Sequence, residues 1–98
     1  MNAKTLTVIA RMKAKPGKEE EIRKLLLSLV EPSRRHAGCI NYDLHQELAN
    51  PAQFLFHENW ESKALLDRHL ETAEVQNVLA KVGTLVAESP QITLWEKL

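Results

Sequence analysis

The 98-residue chain has one cysteine, three glycines, no surplus of either charge and no long apolar run. Each scarcity excludes a class of protein. A single Cys39 rules out an internal disulfide and any multi-cysteine zinc site. Gly17, Gly38 and Gly83 stand alone, so there is no glycine-rich phosphate loop and no nucleotide or flavin motif. Lys plus Arg and Asp plus Glu both number 13. A nucleic-acid or membrane surface would want a basic excess, and neither partner is expected. The apolar runs are too short to span a membrane. The opening "MNAKTLTVIARMK" does not read as a signal peptide, which leaves a cytoplasmic location as the expectation. The length fits one domain over 1–98, small enough that oligomerisation is a natural aid to stability.

What is present is periodicity. "LTVIARMKA" (6–14) alternates apolar and mixed residues and predicts a strand. After the "KPGK" turn, Ile22, Leu25, Leu26, Leu29 and Val30 form the stripe of an amphipathic helix, with Glu19, Glu20 and Glu21 in its first turn. Pro32 is expected to kink or end it, and Gly38 to close the segment. "CINYDLHQE" (39–47) and "FLFHENW" (54–60) predict a hairpin joined through "LANPAQ". Ser62 is a suitable N-cap for a helix over 63–71. A further helix is expected over 73–87, and a last strand over 91–98. The order β-α-β-β-α-β, with the second helix broken in two, predicts an α+β, ferredoxin-like fold with an antiparallel sheet.

Phasing the strands puts Leu6, Val8, Ala10, Met12, Ile40, Tyr42, Leu44, Phe54, Phe56, Glu58, Trp60, Ile92 and Leu94 on the face that meets the helices. The other face is mixed, and Ile9, Leu55 and Trp95 on it call for a second copy of the chain as cover. Glu58 is the odd member of the inner face. A buried carboxylate must find a donor or take up a proton, unless it reaches the rim at the strand end. His69 shares a helix face with Leu65 and Leu66 and points at the sheet. It reads either as a core histidine bonded to a carbonyl or as a general base. Glu58, Trp60, Tyr42 and His69 are expected to border one cavity, with the carboxylate beside the imidazole holding one tautomer. His57 and Glu58 are strand neighbours and point to opposite faces, which argues against "HEN" as a metal motif. His45, His57 and Asp43 share the outer face, where contacts between subunits suit them better than a metal. Cys39 has no nucleophile signature and suits packing at a strand start.

"GCINYDLHQ", "NP" and "FLFHENWESKALLDRHLET" together resemble the antibiotic biosynthesis monooxygenase superfamily, in particular its small quinol-monooxygenase-like branch. The similarity runs from the first strand to the final "LWEKL", and its most specific part is the Glu-x-Trp strand end followed by a helix carrying His69. The resemblance implies a homodimer whose sheets pack face to face into an α/β barrel, with a pocket in each protomer. It implies oxidation of a small phenol or quinol by dioxygen without cofactor or metal. His69 would be the base, tuned by Glu58. Phe54, Phe56 and Trp60 would be aromatic walls, and Tyr42 a hydrogen-bond donor to a substrate oxygen. A haem-degrading branch carries an Asn on the first strand, where this chain has Ala10, which argues against haem cleavage. An isomerase branch acting on a phosphorylated autoinducer-2 derivative, and a non-catalytic ligand-binding dimer, are the alternatives.

Overall fold

The computed structural model describes residues 5–98. In chain order the elements are β1 (Leu6–Lys13), α1 (Glu19–Leu27), α2 (Val30–Arg34), β2 (Cys39–Gln46), β3 (Gln53–Trp60), α3 (Lys63–Glu71), α4 (Ala73–Gly83) and β4 (Gln91–Glu96). The strands form one antiparallel sheet in the order β2-β3-β1-β4, the ferredoxin-like arrangement. The helices lie on one face of it. Among the described residues no helix is long and apolar enough to cross a membrane.

Local chemistry accounts for most of the element ends. Glu19, Glu20 and Glu21 occupy the first turn of α1, where the helix dipole favours them. The Ser62 hydroxyl accepts from the Leu65 amide at 3.2 Å and caps α3 as expected. Gly38 does more than close a helix. Its φ is +84°, and a Cβ there would collide with the Leu65 side chain, so glycine allows both the turn and the close approach of α3.

Four expectations need correction. The first helix does not run to Val30: α1 ends at Leu27, and the Ser28 hydroxyl turns back onto the Leu25 carbonyl. Pro32 neither ends nor kinks that helix. It sits in the first turn of α2, where a missing N–H costs nothing. The last helix stops at Gly83, and Val86 instead bridges to Ala14 beyond β1. Leu85 and Val86 remain buried, so the apolar pattern was right about burial and wrong about helix. Finally, Ile40 is not in the core. A register shift between Cys39 and Asn41 places Cys39 opposite Trp60 and leaves Ile40 52% exposed.

The core lies between the sheet and helices α1, α3 and α4, with Trp60, Ile22 and Leu26 fully buried. It is lopsided. Every residue of β4 is exposed, although Ile92 and Leu94 pair with Ala10 and Val8 and so share the inner face. The helices do not extend over that edge.

Candidate functional site

The site begins with β3. Strand alternation turns Phe54, Phe56, Glu58 and Trp60 inward, and all four are buried. Glu58 pairs with Val8 on one side and Tyr42 on the other, at the middle of the inner face. It is only 5% exposed. The Trp60 indole Nε1–H donates to Glu58 Oε1 at 2.8 Å. Burial pushes the carboxyl up to about 7, and the Trp60 bond pulls it back part of the way.

Glu58 forms part of the wall of a cavity of ≈ 220 Å³ between the sheet and α3. The other walls are Val8 and Ala10 from β1, Leu66 and Leu70 from α3, and Ile92 and Leu94 from β4. Lys63 and Asp67 stand at the same cavity and are paired with each other at 3.1 Å. A larger depression of ≈ 490 Å³ lies by the β2–β3 hairpin, among Arg11, His45, Gln53 and Leu55. It contains no buried acid or base, so the chemistry favours the smaller cavity.

The expected aromatic walls lie elsewhere. Phe54, Phe56, Tyr42 and Trp60 do not line the cavity beside Glu58; Phe56, Tyr42 and Trp60 fill the core next to it, and Phe54 borders the larger depression by the hairpin. Tyr42 packs on Phe56 at 4.8 Å between centroids and meets Trp60 nearly edge-on at 6.5 Å. Burial, and then the Glu58 charge, raise the Tyr42 phenol well above its ordinary range, so it stays a donor.

His69 is also brought inside, with Leu66 on the inner face of α3. Its ring lies 4.6 Å from Trp60 and 5.3 Å from Tyr42. The carboxylate–imidazole contact expected with Glu58 is not made. Glu58 is bonded to Trp60, while His69 Nδ1 is 2.9 Å from Nδ1 of His36. His36 Nε2 in turn is 2.7 Å from Glu74 Oε1. Burial, and then the neighbouring His36, push the His69 imidazole down to about 4, with Glu74 opposing. His36 and Glu74 escaped the sequence reading. His36 lies in the irregular corner between α2 and Gly38, on no periodic face, and its partner is 33 residues away. A histidine fixed two residues before a required glycine was the one available signal.

Among the described residues no group of three or more His, Cys, Asp or Glu side chains is placed to hold a metal ion. His57 approaches Asn41 at 3.5 Å, and Asn41 also donates to Asp43, within a polar ladder on the outer face. Cys39 is half-buried, and burial with Glu58 nearby pushes its thiol up to about 11, the reverse of an activated nucleophile.

The sequence model of the antibiotic biosynthesis monooxygenase family matches residues 5–81, well over half of the chain. The chain belongs to that family. It is 32% identical over 89 residues to a Mycobacterium tuberculosis protein named "Putative monooxygenase Rv0793", covering 91% of this chain and 87% of that one. It is 33% identical over 91 residues to "Uncharacterized protein sll1783" of Synechocystis, covering 93% of this chain but only 62% of that longer protein. Among solved structures, PA3566 from Pseudomonas aeruginosa superposes with a TM-score of 0.93 at 34% identity, over 100% of this chain and 98% of that one.

Proposed function

We propose that this chain is a cofactor-independent monooxygenase of a small electron-rich aromatic, a hydroquinone or related phenol, with Glu58 as the general base. The observation that carries this reading is a buried carboxyl, poised at about 7, in the wall of an otherwise aliphatic cavity. A base with that affinity is divided between its two forms near neutral pH, as proton abstraction requires. The cavity is small, and it suits one ring rather than a polycyclic substrate.

The chemistry balances without a further reductant. Glu58 takes a phenolic proton, and the electron-rich phenolate passes one electron to dioxygen. Recombination forms a C–O bond and a ring peroxide, which takes up a proton. Water then leaves the hydroperoxide as the O–O bond breaks, the ring C–H is lost and a carbonyl forms. Hydroquinone plus dioxygen thus becomes hydroxyquinone plus water. The protein's tasks are to remove protons, orient the ring and keep water away from the intermediates. The final step needs a base at carbon and an acid at the departing oxygen together. Glu58, the buried titratable group that lines the cavity, serves both: the proton taken from the phenol goes to the peroxide, and the freed carboxylate takes the ring C–H proton and passes it to the departing oxygen. The phosphorylated-carbonyl isomerase reading is less well supported, because Lys63, the one cation lining the cavity among the described residues, is already paired with Asp67.

The working unit we propose is a homodimer formed through the outer sheet face, where Trp95 is 54% exposed. An oxygen-electrode screen of the purified, metal-free protein against hydroquinones tests the reading. Uptake is expected for at least one of them, and Glu58→Gln should lower it by ~10²-fold or more. Uptake that is unchanged in Glu58→Gln, or none with any quinol, would remove this assignment.

A further inference from the structure

The cavity beside Glu58 is polar at two depths and aliphatic elsewhere. Helix α3 turns Lys63, Leu66, Asp67 and Leu70 toward it, the i, i+3, i+4, i+7 stripe of one helix face. Leu66 belongs to the buried core. The two charged members of the stripe stay at the rim, with side chains 62% and 48% exposed for Lys63 and Asp67. Glu58 is buried in the inner wall. Helix stability gives little reason for the rim pair. Lys63 opens α3, where the helix dipole disfavours a cation, and the first turn carries no acid. Its ammonium reaches one turn on and meets both Asp67 oxygens at 3.1 Å. Lys before Asp is the weaker order for a pair at this spacing, and exposed pairs contribute little to folding.

What such a pair can bind follows from its donors and acceptors. An ammonium has three N–H groups and each carboxylate oxygen two lone pairs, so the paired side chains can still donate and accept. A ligand group that joins them without separating the charges must do both. A hydroxyl does: it accepts from the ammonium and donates to the carboxylate. An anionic group would have to displace Asp67 and would be repelled by it, and a cation would have to displace Lys63. We propose that Lys63 and Asp67 are the specificity-determining pair of this site, reading an uncharged hydroxyl set across the ring from the one that meets Glu58. In a cavity of ≈ 220 Å³ that suits one ring, a 1,4-dihydroxybenzene reaches both polar points and lays its carbons on the aliphatic walls. A catechol turns both hydroxyls to one of them, and a simple phenol leaves the rim unused. The assignment of the reacting hydroxyl rests on the proposed function, whereas recognition of the ring can be measured without any reaction.

Calorimetric titration of the full-length protein under nitrogen, where no oxygenation can occur, tests the pair apart from the chemistry. The probes are hydroquinone, catechol, phenol and 4-hydroxybenzoate. The wild type should bind hydroquinone ~10-fold more tightly than the others, the scale of one hydrogen bond to a charged group. The double variant Lys63→Met with Asp67→Leu removes both charges and leaves no unpaired one. It should bind hydroquinone no more tightly than phenol, with its phenol affinity at the wild-type level or above. Equal affinities in the wild type, no binding of hydroquinone, or a hydroquinone preference that survives in the double variant would each overturn the role of the pair. Oxygen uptake in air separates the two readings. A wild type that prefers hydroquinone through the pair but consumes no oxygen removes the monooxygenase reading alone. One that consumes oxygen with hydroquinone yet binds all four probes alike removes this inference alone.

Discussion

The inner layer has two halves that share one sheet face and differ in what covers them. Over β2 and β3 the space is filled by rings: Phe56, Tyr42, Trp60 and His69 lie in contact, and each is 3% exposed or less. Over β1 and β4 the helices fall short, Ile92 and Leu94 remain 53% and 45% exposed, and the cavity opens. Glu58 stands on the boundary. Its Trp60 bond belongs to the filled half, and its other surface belongs to the cavity. The two buried titratable groups divide in the same way. His69 is locked into a chain of partners on the filled side, while Glu58 is the one presented to a ligand-sized space. Being buried makes a group costly; being buried beside empty space makes it usable.

The contrast is most easily broken by truncation. Phe56→Ala on the filled side should cost about 3–5 kcal/mol, the usual range for removing a ring from a packed core. Leu94→Ala on the open side removes a side chain that is still nearly half exposed, and it should cost under ~1 kcal/mol while enlarging the cavity mouth. Urea melts of the two variants measure this. Equal losses would mean that β4 is covered in solution.

A second contrast lies in the pH dependence of stability. The folded Glu58 holds its proton up to about 7, whereas the unfolded side chain releases it near 4.5. Its contribution is therefore fully present below 4.5 and lost as pH rises through about 7. His69 behaves oppositely. The unfolded imidazole takes a proton below 6.5, which the folded one refuses until about 4, so its contribution is present above 6.5 and lost on acidification. Between 4.5 and 6.5 the slopes oppose each other, and wild-type stability should change little there. Glu58→Gln leaves the His69 slope alone, so this variant should weaken steeply from pH 6.5 toward 4, by up to roughly 3 kcal/mol. His69→Gln should instead weaken from 4.5 toward 7. Denaturant midpoints across this range check both signs.

The smallest expected effect on the protomer itself comes from the outer face. Trp95→Glu should leave the sheet and the cavity intact, because Trp95 is 54% exposed and its indole donates to Thr93 within its own strand. It should convert a wild-type dimer to monomer in light scattering. A wild type that is monomeric at high concentration would contradict the dimer.

Much of this was legible in the sequence because period-two and helical patterns are local. Alternation at 54, 56, 58 and 60 gave β3 and the inward Glu58, and Ser62 marked the start of α3. The resemblance to the family was carried by that same segment. What escaped was non-local. The bulge that ejects Ile40 arises from pairing with β3, and no residue type in "GCIN" announces it. The exposure of Ile92 and Leu94 depends on where the helices end in space. Phe56 and Trp60 look like pocket aromatics on a strand, but neighbouring rings pack against them, and Phe54 borders the hairpin depression instead. The His36–His69 contact joins the unpatterned corner before Gly38 to the inner face of α3.

The central claim is that Glu58, at the open edge of the filled half, is the base. The most direct measurement is oxygen uptake at saturating hydroquinone as a function of pH, for the wild type and Glu58→Gln. Wild-type turnover should rise as pH increases through about 7, as the carboxyl loses its proton. Glu58→Gln should be lower by ~10²-fold and should lack that rise. The same rise with the same midpoint in Glu58→Gln would contradict the account and place the base elsewhere.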